Sequence, residues 1–186
     1  IKHIPGEQVA AARAAGKLDA TTDFSRIAEC AAIILCVPTP LDEHLEPDLS
    51  YVTDTLETVV PHLTAGQVLS LESTTYPGTT EEVIRPKLEA GGLQVGRDFY
   101  LAFSPERVDP GNPRFQTKNT PKIVGGTTPA CTDMAAALYG KAVDTVIRVS
   151  STQSAEMIKL LENTFRSVNI GLVNEIALMC DRLGLD

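Results

Sequence analysis

Five short apolar runs recur along the first 150 residues, and amphipathic stretches separate them. Residues 31–37 are apolar at every position, which is typical of a strand that helices cover on both faces. The other four runs lie at 67–72, 99–103, 122–126 and 145–149. This alternation of strands and helices predicts an α/β fold built on a parallel sheet.

Apolar side chains between these runs recur at helical spacing. The segment 48–63 carries them on one face, and Asp48 and Ser50 are candidate N-terminal caps. A second helix is expected to begin at Thr79, with acidic residues in its first turn. A third helix is predicted over 128–139.

The pattern changes after the fifth run, where residues 155–183 predict a single helix roughly 43 Å long. Ser150, Ser151 or Thr152 can cap its start, and Gly184 can end it. Helices of this length usually leave their parent domain to reach a second domain or another subunit. We therefore predict one domain over 1–150 and the start of another over 151–186.

The composition of the chain argues against some classes of binding partner. The chain has 186 residues, a formal net charge of −8 and no long basic run, which argues against a nucleic-acid partner. No apolar run approaches the ~20 residues of a membrane span. A small anionic ligand is compatible with this charge, because helix N-termini and a few local cations can hold it.

The cysteines and histidines do not suggest a metal site. The four cysteines form no Cys-x-x-Cys pair, and none of the three histidines pairs with a cysteine at zinc spacing. We predict reduced core thiols in a cytoplasmic protein. The cysteines are Cys30, Cys36, Cys131 and Cys180.

Polar residues follow three of the predicted strands, where α/β sheets bind ligands. Thr39 stands between two prolines, which suits either a rigidly placed hydroxyl or simply a stiff strand exit. Residues 73–75 suit either helix capping or hydroxyl donors near a phosphate or a water molecule. The segment 104–106 is compatible with a turn or with ligand contact.

The loop 103–112 is expected to face the start of the long helix. Lys159 and Asn163 lie one turn apart on this helix, and Glu156, one turn earlier, is expected on the same side, so that the three form a polar strip. They are either a solvated surface pair or groups that stabilise charge on a substrate oxygen. The second hypothesis predicts that the Lys159 amine lies near the Glu106 carboxylate in a shared cleft.

With these residues in place, the chain resembles the UDP-glucose/GDP-mannose dehydrogenase family. The matching segments keep the family's order and cover nearly the whole chain. They are Val-Pro-Thr-Pro at 37–40, Pro-Asp-Leu-Ser-Tyr-Val at 47–52, Glu-Ser-Thr-Thr at 72–75, Ser-Pro-Glu-Arg at 104–107, Ile-Val-Gly-Gly at 123–126 and Ala-Glu-Met-Ile-Lys-Leu-Leu-Glu-Asn-Thr at 155–164.

The resemblance implies oxidation of the C6 alcohol of a nucleotide sugar to a carboxylate, in two steps that use two NAD. By this resemblance Thr39 and Thr74 contact NAD, and Thr74 also helps to hold an active-site water. Glu106 then lies in the substrate-binding loop. Lys159 and Asn163 bind the substrate and stabilise the oxyanion at C6.

The same loop suggests a substrate branch. UDP-glucose enzymes commonly carry a second glutamate where this chain has Pro110, so that glutamate's role cannot be transferred. Glu106 and Arg107 open a segment that is more similar to the branch acting on UDP-N-acetylhexosamines, in particular UDP-N-acetylglucosamine. We expect the full-length protein to oxidise that substrate faster than UDP-glucose.

The resemblance also implies two sequence segments that the 186 residues do not contain. A Rossmann-like sheet would have its first strands and its Gly-rich fingerprint before Ile1, and the nucleophilic cysteine would lie beyond Asp186. We therefore expect no turnover from the 186-residue chain alone. The helix 155–183 corresponds to a central helix that supports a homodimer. Two alternatives stay open, a 3-hydroxyacid or 6-phosphogluconate type of dehydrogenase and a non-catalytic fragment that binds ligand or dimerises.

Overall fold

A computed structural model describes residues 4–44, 46–108 and 117–185. All five predicted strands are present, each trimmed at its ends or unchanged. They are β1 (Ala32–Leu35), β2 (Val68–Leu71), β3 (Tyr100–Phe103), β4 (Lys122–Gly126) and β5 (Val146–Arg148).

The strands form one sheet in the order β1-β2-β3-β4-β5. The first three are parallel, but β4 runs antiparallel to β3, with Phe103 opposite Gly125. The predicted α/β fold is confirmed, and its sheet is parallel at three of the four strand pairs in the described structure; the prediction of parallel pairing is wrong only between β3 and β4. A parallel neighbour needs a crossover that carries the chain back to the other edge, whereas β4 begins at the edge where β3 ends. Lys122, its first residue, consequently lies beside the strand ends of β1 to β3.

The predicted helices are present with shifted bounds. The helix from Thr79 opens with a π-helical segment before its α-helical turn, and Thr128 caps the following helix by accepting a hydrogen bond from the Cys131 N–H. Two helical segments near the start have no counterpart in the sequence prediction, and neither contains a buried residue. The helices are α1 (Gly6–Ala14), α2 (Ser50–Val59), α3 (Arg85–Glu89), α4 (Pro129–Tyr139) and α5 (Thr152–Leu183), with shorter helical turns at Phe24–Glu29, Val60–His62 and Thr79–Ile84.

Alternate residues of the strands point to opposite faces and fill two cores. One core packs under α2 and α3 and contains Leu69, Leu71 and Phe103. The other lies under α4, where Val68 meets Tyr139. The site described below lies at the end of this second face.

The prediction of four core thiols is wrong for two of them. Cys131 is buried, but Cys30 and Cys36 are exposed, and Cys180 is partly exposed on α5. Cys30 and Cys36 flank β1, which has a neighbouring strand on one side only in the described sheet, so residues beside it contact solvent. All four thiols are free.

The long helix α5 begins three residues earlier than predicted. The Ser151 side chain caps it by accepting from the Ser154 N–H, and Gly184 ends it in a left-handed conformation. Only its first turns are buried, at Thr152, Ala155 and Glu156. Its later apolar side chains, such as Phe165, are exposed. Within the described ranges, no helix has both the length and the apolar character needed to cross a bilayer.

Candidate active site

The exits of β1 and β2 are tied together by Ser73. Its hydroxyl accepts a hydrogen bond from the Val37 N–H at 3.0 Å and donates to the Val37 carbonyl at 2.7 Å. This bridge fixes the backbone from which the two predicted cofactor residues extend. Thr39 is half-buried and Thr74 is exposed, and both follow the carboxyl ends of parallel strands.

Residues 106 and 159 meet, as the sequence predicted, but through a different atom. The Lys159 ammonium donates a 2.5 Å hydrogen bond to the main-chain carbonyl of Glu106. The Glu106 carboxylate instead accepts from the Val108 N–H at 2.6 Å. The loop is therefore folded onto itself and fastened to the helix, and the Glu106 carboxylate is half-exposed, 3.8 Å from the Lys122 ammonium.

The half-buried position of Lys159 changes its titration. Burial lowers the pKa of this ammonium below its ordinary value, and the charges of Glu106 and Glu162 oppose that shift. Asn163 lies one turn further along α5 and is exposed. Of the two, Lys159 contacts the 104–108 segment, through the Glu106 carbonyl.

Arg107 fastens the same loop to the same helix. Its guanidinium donates to the Glu162 carboxylate through Nη2 at 2.6 Å and Nε at 2.9 Å, and it donates to the Pro121 carbonyl at 2.7 Å. A forked pair of this kind fixes orientation as well as distance. The predicted substrate role of Arg107 remains a prediction, and its observed contacts are structural.

Three neighbours of Glu106 escaped the sequence prediction. Lys122 lies 3.1 Å from the Glu72 carboxylate and 3.8 Å from that of Glu106, while the Tyr139 hydroxyl donates to Glu72 at 2.6 Å. These side chains and Arg107 line a cavity of about 200 Å³. The sequence offered one signal for Glu72 and Lys122, because both are charged residues at the ends of apolar runs. Glu72 is the last residue of the second run, and Lys122 is the first residue of the fourth.

Glu156 does not belong to the cleft, contrary to the prediction of a polar strip shared with Lys159. It is fully buried and accepts hydrogen bonds from the N–H groups of Gly78 and Thr80 and from the Thr80 hydroxyl, at 2.7–2.9 Å. Residues three apart on a helix differ by about 60° in direction, which here is enough for one to face the domain and the other the cleft.

The edge of the sheet where the parallel strands end carries hydroxyl groups that could donate hydrogen bonds to a dinucleotide. Besides Thr39 and Thr74, it carries Thr75, whose buried hydroxyl oxygen has no hydrogen-bond partner in the described structure. Buried hydroxyls normally find a partner, so this atom is compatible with a ligand or water nearby. The later loop residues 109–112, including Pro110, lie outside the described ranges.

A mostly parallel sheet with hydroxyls past its strand ends and a lysine reaching in from a flanking helix is typical of α/β dinucleotide-binding domains. Residues 2–143 match the NAD binding domain of the UDP-glucose/GDP-mannose dehydrogenase family, and residues 153–186 match its central domain. The chain belongs to the UDP-glucose/GDP-mannose dehydrogenase family.

Characterised relatives support this placement. The UDP-N-acetyl-D-glucosamine 6-dehydrogenase of Pseudomonas aeruginosa is 37% identical over 92% of this chain and 41% of its own length. The solved UDP-D-ManNAc dehydrogenase of Pyrococcus horikoshii is 37% identical over 98% of this chain and 44% of its own, with a TM-score of 0.89. The solved GDP-mannose dehydrogenase of P. aeruginosa is 25% identical over 98% and 43%, with a TM-score of 0.88. The chain thus spans about two fifths of the length of these relatives.

Proposed function

We propose that this chain is part of an NAD-dependent nucleotide-sugar 6-dehydrogenase, which oxidises the C6 alcohol of a UDP-sugar to the uronate. The supporting observation is the meeting of Lys159 with the 106 loop at the strand-end edge, in a chain of this family. In this proposal residues 1–150 belong to the NAD-binding domain, and 151–186 begin the central domain.

The proposed roles follow from position and chemistry. NAD, when bound, accepts the hydride removed from C6, and Thr39 and Thr74 contact it. In this proposal the Lys159 ammonium and the Asn163 amide stabilise negative charge on the C6 oxygen. Glu106 binds substrate, while Thr74 also holds a water molecule.

Arg107 and Glu106 belong to the same substrate-binding loop in this proposal. The ion pair between Arg107 and Glu162 keeps the loop at a fixed distance from α5. Holding the loop and the helix in one geometry lowers the entropic cost of bringing the reacting groups together. Arg107 therefore serves binding through the placement of its neighbours as well as through any direct contact.

The proposed substrate is a UDP-N-acetylhexosamine, with UDP-N-acetylglucosamine favoured over UDP-glucose. The relatives named for UDP-N-acetyl-D-glucosamine and UDP-D-ManNAc support this choice, since each is 37% identical to the chain. We also propose a cytoplasmic homodimer formed through the 155–183 helix. The exposed apolar side chains of α5 support the dimer, because a single helix in water leaves such a face uncovered.

A substrate panel tests the proposal. The full-length protein is incubated with NAD and, in turn, UDP-N-acetylglucosamine, UDP-glucose, a 3-hydroxyacid and 6-phosphogluconate, and NADH formation is recorded. We expect the highest kcat/KM with UDP-N-acetylglucosamine. A higher value with UDP-glucose contradicts the substrate choice, and turnover only with an acid substrate contradicts the class. The 186-residue chain, run in parallel, is expected to form no NADH.

A further inference from the structure

Lys122 lies between two carboxylates in the cavity that Glu72, Glu106 and Tyr139 also line. Its side chain is only 12% exposed, and its ammonium is 3.1 Å from Glu72 and 3.8 Å from Glu106. It also sits 5.1 Å from the centre of the Tyr139 ring. A cation in this position offsets the repulsion that the two carboxylates would otherwise exert on each other.

The other carboxylate oxygen of Glu72 is also held by a neighbouring side chain. The Tyr139 hydroxyl donates to one Glu72 oxygen at 2.6 Å and lies 2.8 Å from the Ser70 hydroxyl. Burial, followed by the nearby Glu72 charge, raises the pKa of Tyr139 far above its ordinary value, so the phenol remains a neutral donor. Glu72 therefore has one oxygen held by Tyr139 and the other beside Lys122.

The Glu106 carboxylate is less constrained than Glu72. Its side chain is 51% exposed, and its described contacts are the Val108 N–H and Lys122. Loss of the Lys122 charge would leave the Val108 contact to oppose repulsion from Glu72. The carboxylate would then be free to turn towards solvent.

We infer that Lys122 is a positioning residue of the active site: its ammonium, held by Glu72 and Tyr139, fixes the carboxylate of Glu106, the residue whose main-chain carbonyl binds Lys159. This inference rests on the proposed function for its effect on catalysis. Its structural part concerns the 104–108 segment and stands independently of any substrate.

The kinetic test uses the full-length protein with UDP-N-acetylglucosamine. Because a misplacement of about 1 Å can cost on the order of 100-fold in rate, we expect Lys122→Met to lower kcat/KM by about that factor. Lys122→Arg keeps the charge and should restore most of the loss. Lys141→Met removes an exposed lysine just after α4 and is the matched control, with little change expected.

A double-mutant cycle separates positioning from general structural damage. If Lys122 acts through Glu106, Lys122→Met should lower kcat/KM only slightly further in a Glu106→Gln background. Equal losses in the two backgrounds overturn the inference. Failure of Lys122→Arg to restore activity overturns it too, because the role assigned to Lys122 requires its charge.

Amide hydrogen exchange tests the placement of the 104–108 segment without any substrate. If the wild-type protein oxidises no UDP-sugar, the proposed function fails, but this test of Lys122 can still be made. Lys122→Met should speed exchange of the amides in 104–108, including the Val108 N–H that hydrogen-bonds Glu106. Lys141→Met should leave this segment unchanged. Unchanged exchange in Lys122→Met would overturn the inference.

Discussion

The carboxylate of Glu156 accepts two hydrogen bonds from Thr80, one from its N–H at 2.9 Å and one from its hydroxyl at 2.7 Å. This contact joins the first turns of α5 to the helical segment that follows β2. Because Lys159 lies one turn beyond Glu156, the same contact sets the height at which the lysine enters the cleft.

Removal of the Glu156 carboxylate should destabilise the fold strongly. Glu156→Ala leaves the Gly78 and Thr80 donors buried without their partner, which costs about 2–5 kcal/mol in the free energy of unfolding. Urea denaturation of the chain measures the change. Glu175→Ala, at an exposed position of the same helix, should stay within about 0.5 kcal/mol of wild type. A similar small effect at Glu156 would contradict its anchoring role.

Gly125 allows the start of α5 to approach the sheet. A methyl group there would come 2.1 Å from the main-chain oxygen of Ser151, so Gly125→Ala should lower the free energy of unfolding by about 3 kcal/mol or leave the protein insoluble. Gly171 lies within α5 with open space around it. Gly171→Ala should raise helix stability by about 0.5–1 kcal/mol. Thermal denaturation compares the two variants, and a tolerated alanine at 125 would refute the close approach.

Lys159 should titrate below the ordinary lysine value of 10.5, because burial disfavours its charged form. Labelling of its amine with an acylating reagent, followed by mass spectrometry across alkaline pH, gives the midpoint. Since the unfolded chain binds the proton more tightly here, stability should rise with pH between the lowered pKa and 10.5. Lys159→Met should abolish that slope. A midpoint at or above 10.5 would contradict the buried placement.

The pairing of Arg107 with Glu162 should contribute a measurable coupling energy. Both side chains are at most about one third exposed and their contact is forked, so a double-mutant cycle on stability should give about 1 kcal/mol, at the upper end for partly exposed pairs. The variants are Arg107→Ala, Glu162→Ala and the double change. A coupling energy near zero would show that the loop is held by other contacts.

Sequence patterns predicted the five strands, because short apolar runs have few other ways to be buried. They also placed Thr39, Thr74 and Glu106 at one edge, since parallel strands end together. The pattern could not reveal the direction of β4, because an apolar strand of five residues satisfies either pairing. Lys122 joins the site only through that direction. Glu156 was assigned to the cleft because it lies one turn before Lys159, but the angle of about 60° between residues three apart lets it face the domain instead.

The most direct test of the account is NAD reduction by the full-length protein and its Lys159→Ala variant with saturating UDP-N-acetylglucosamine. Loss of a preorganised charge beside a developing oxyanion costs roughly 100- to 1,000-fold in kcat, so the variant should fall by that factor while Lys141→Ala retains wild-type turnover. Equal kcat for Lys159→Ala and wild type would contradict the assignment of Lys159 to the reacting oxygen.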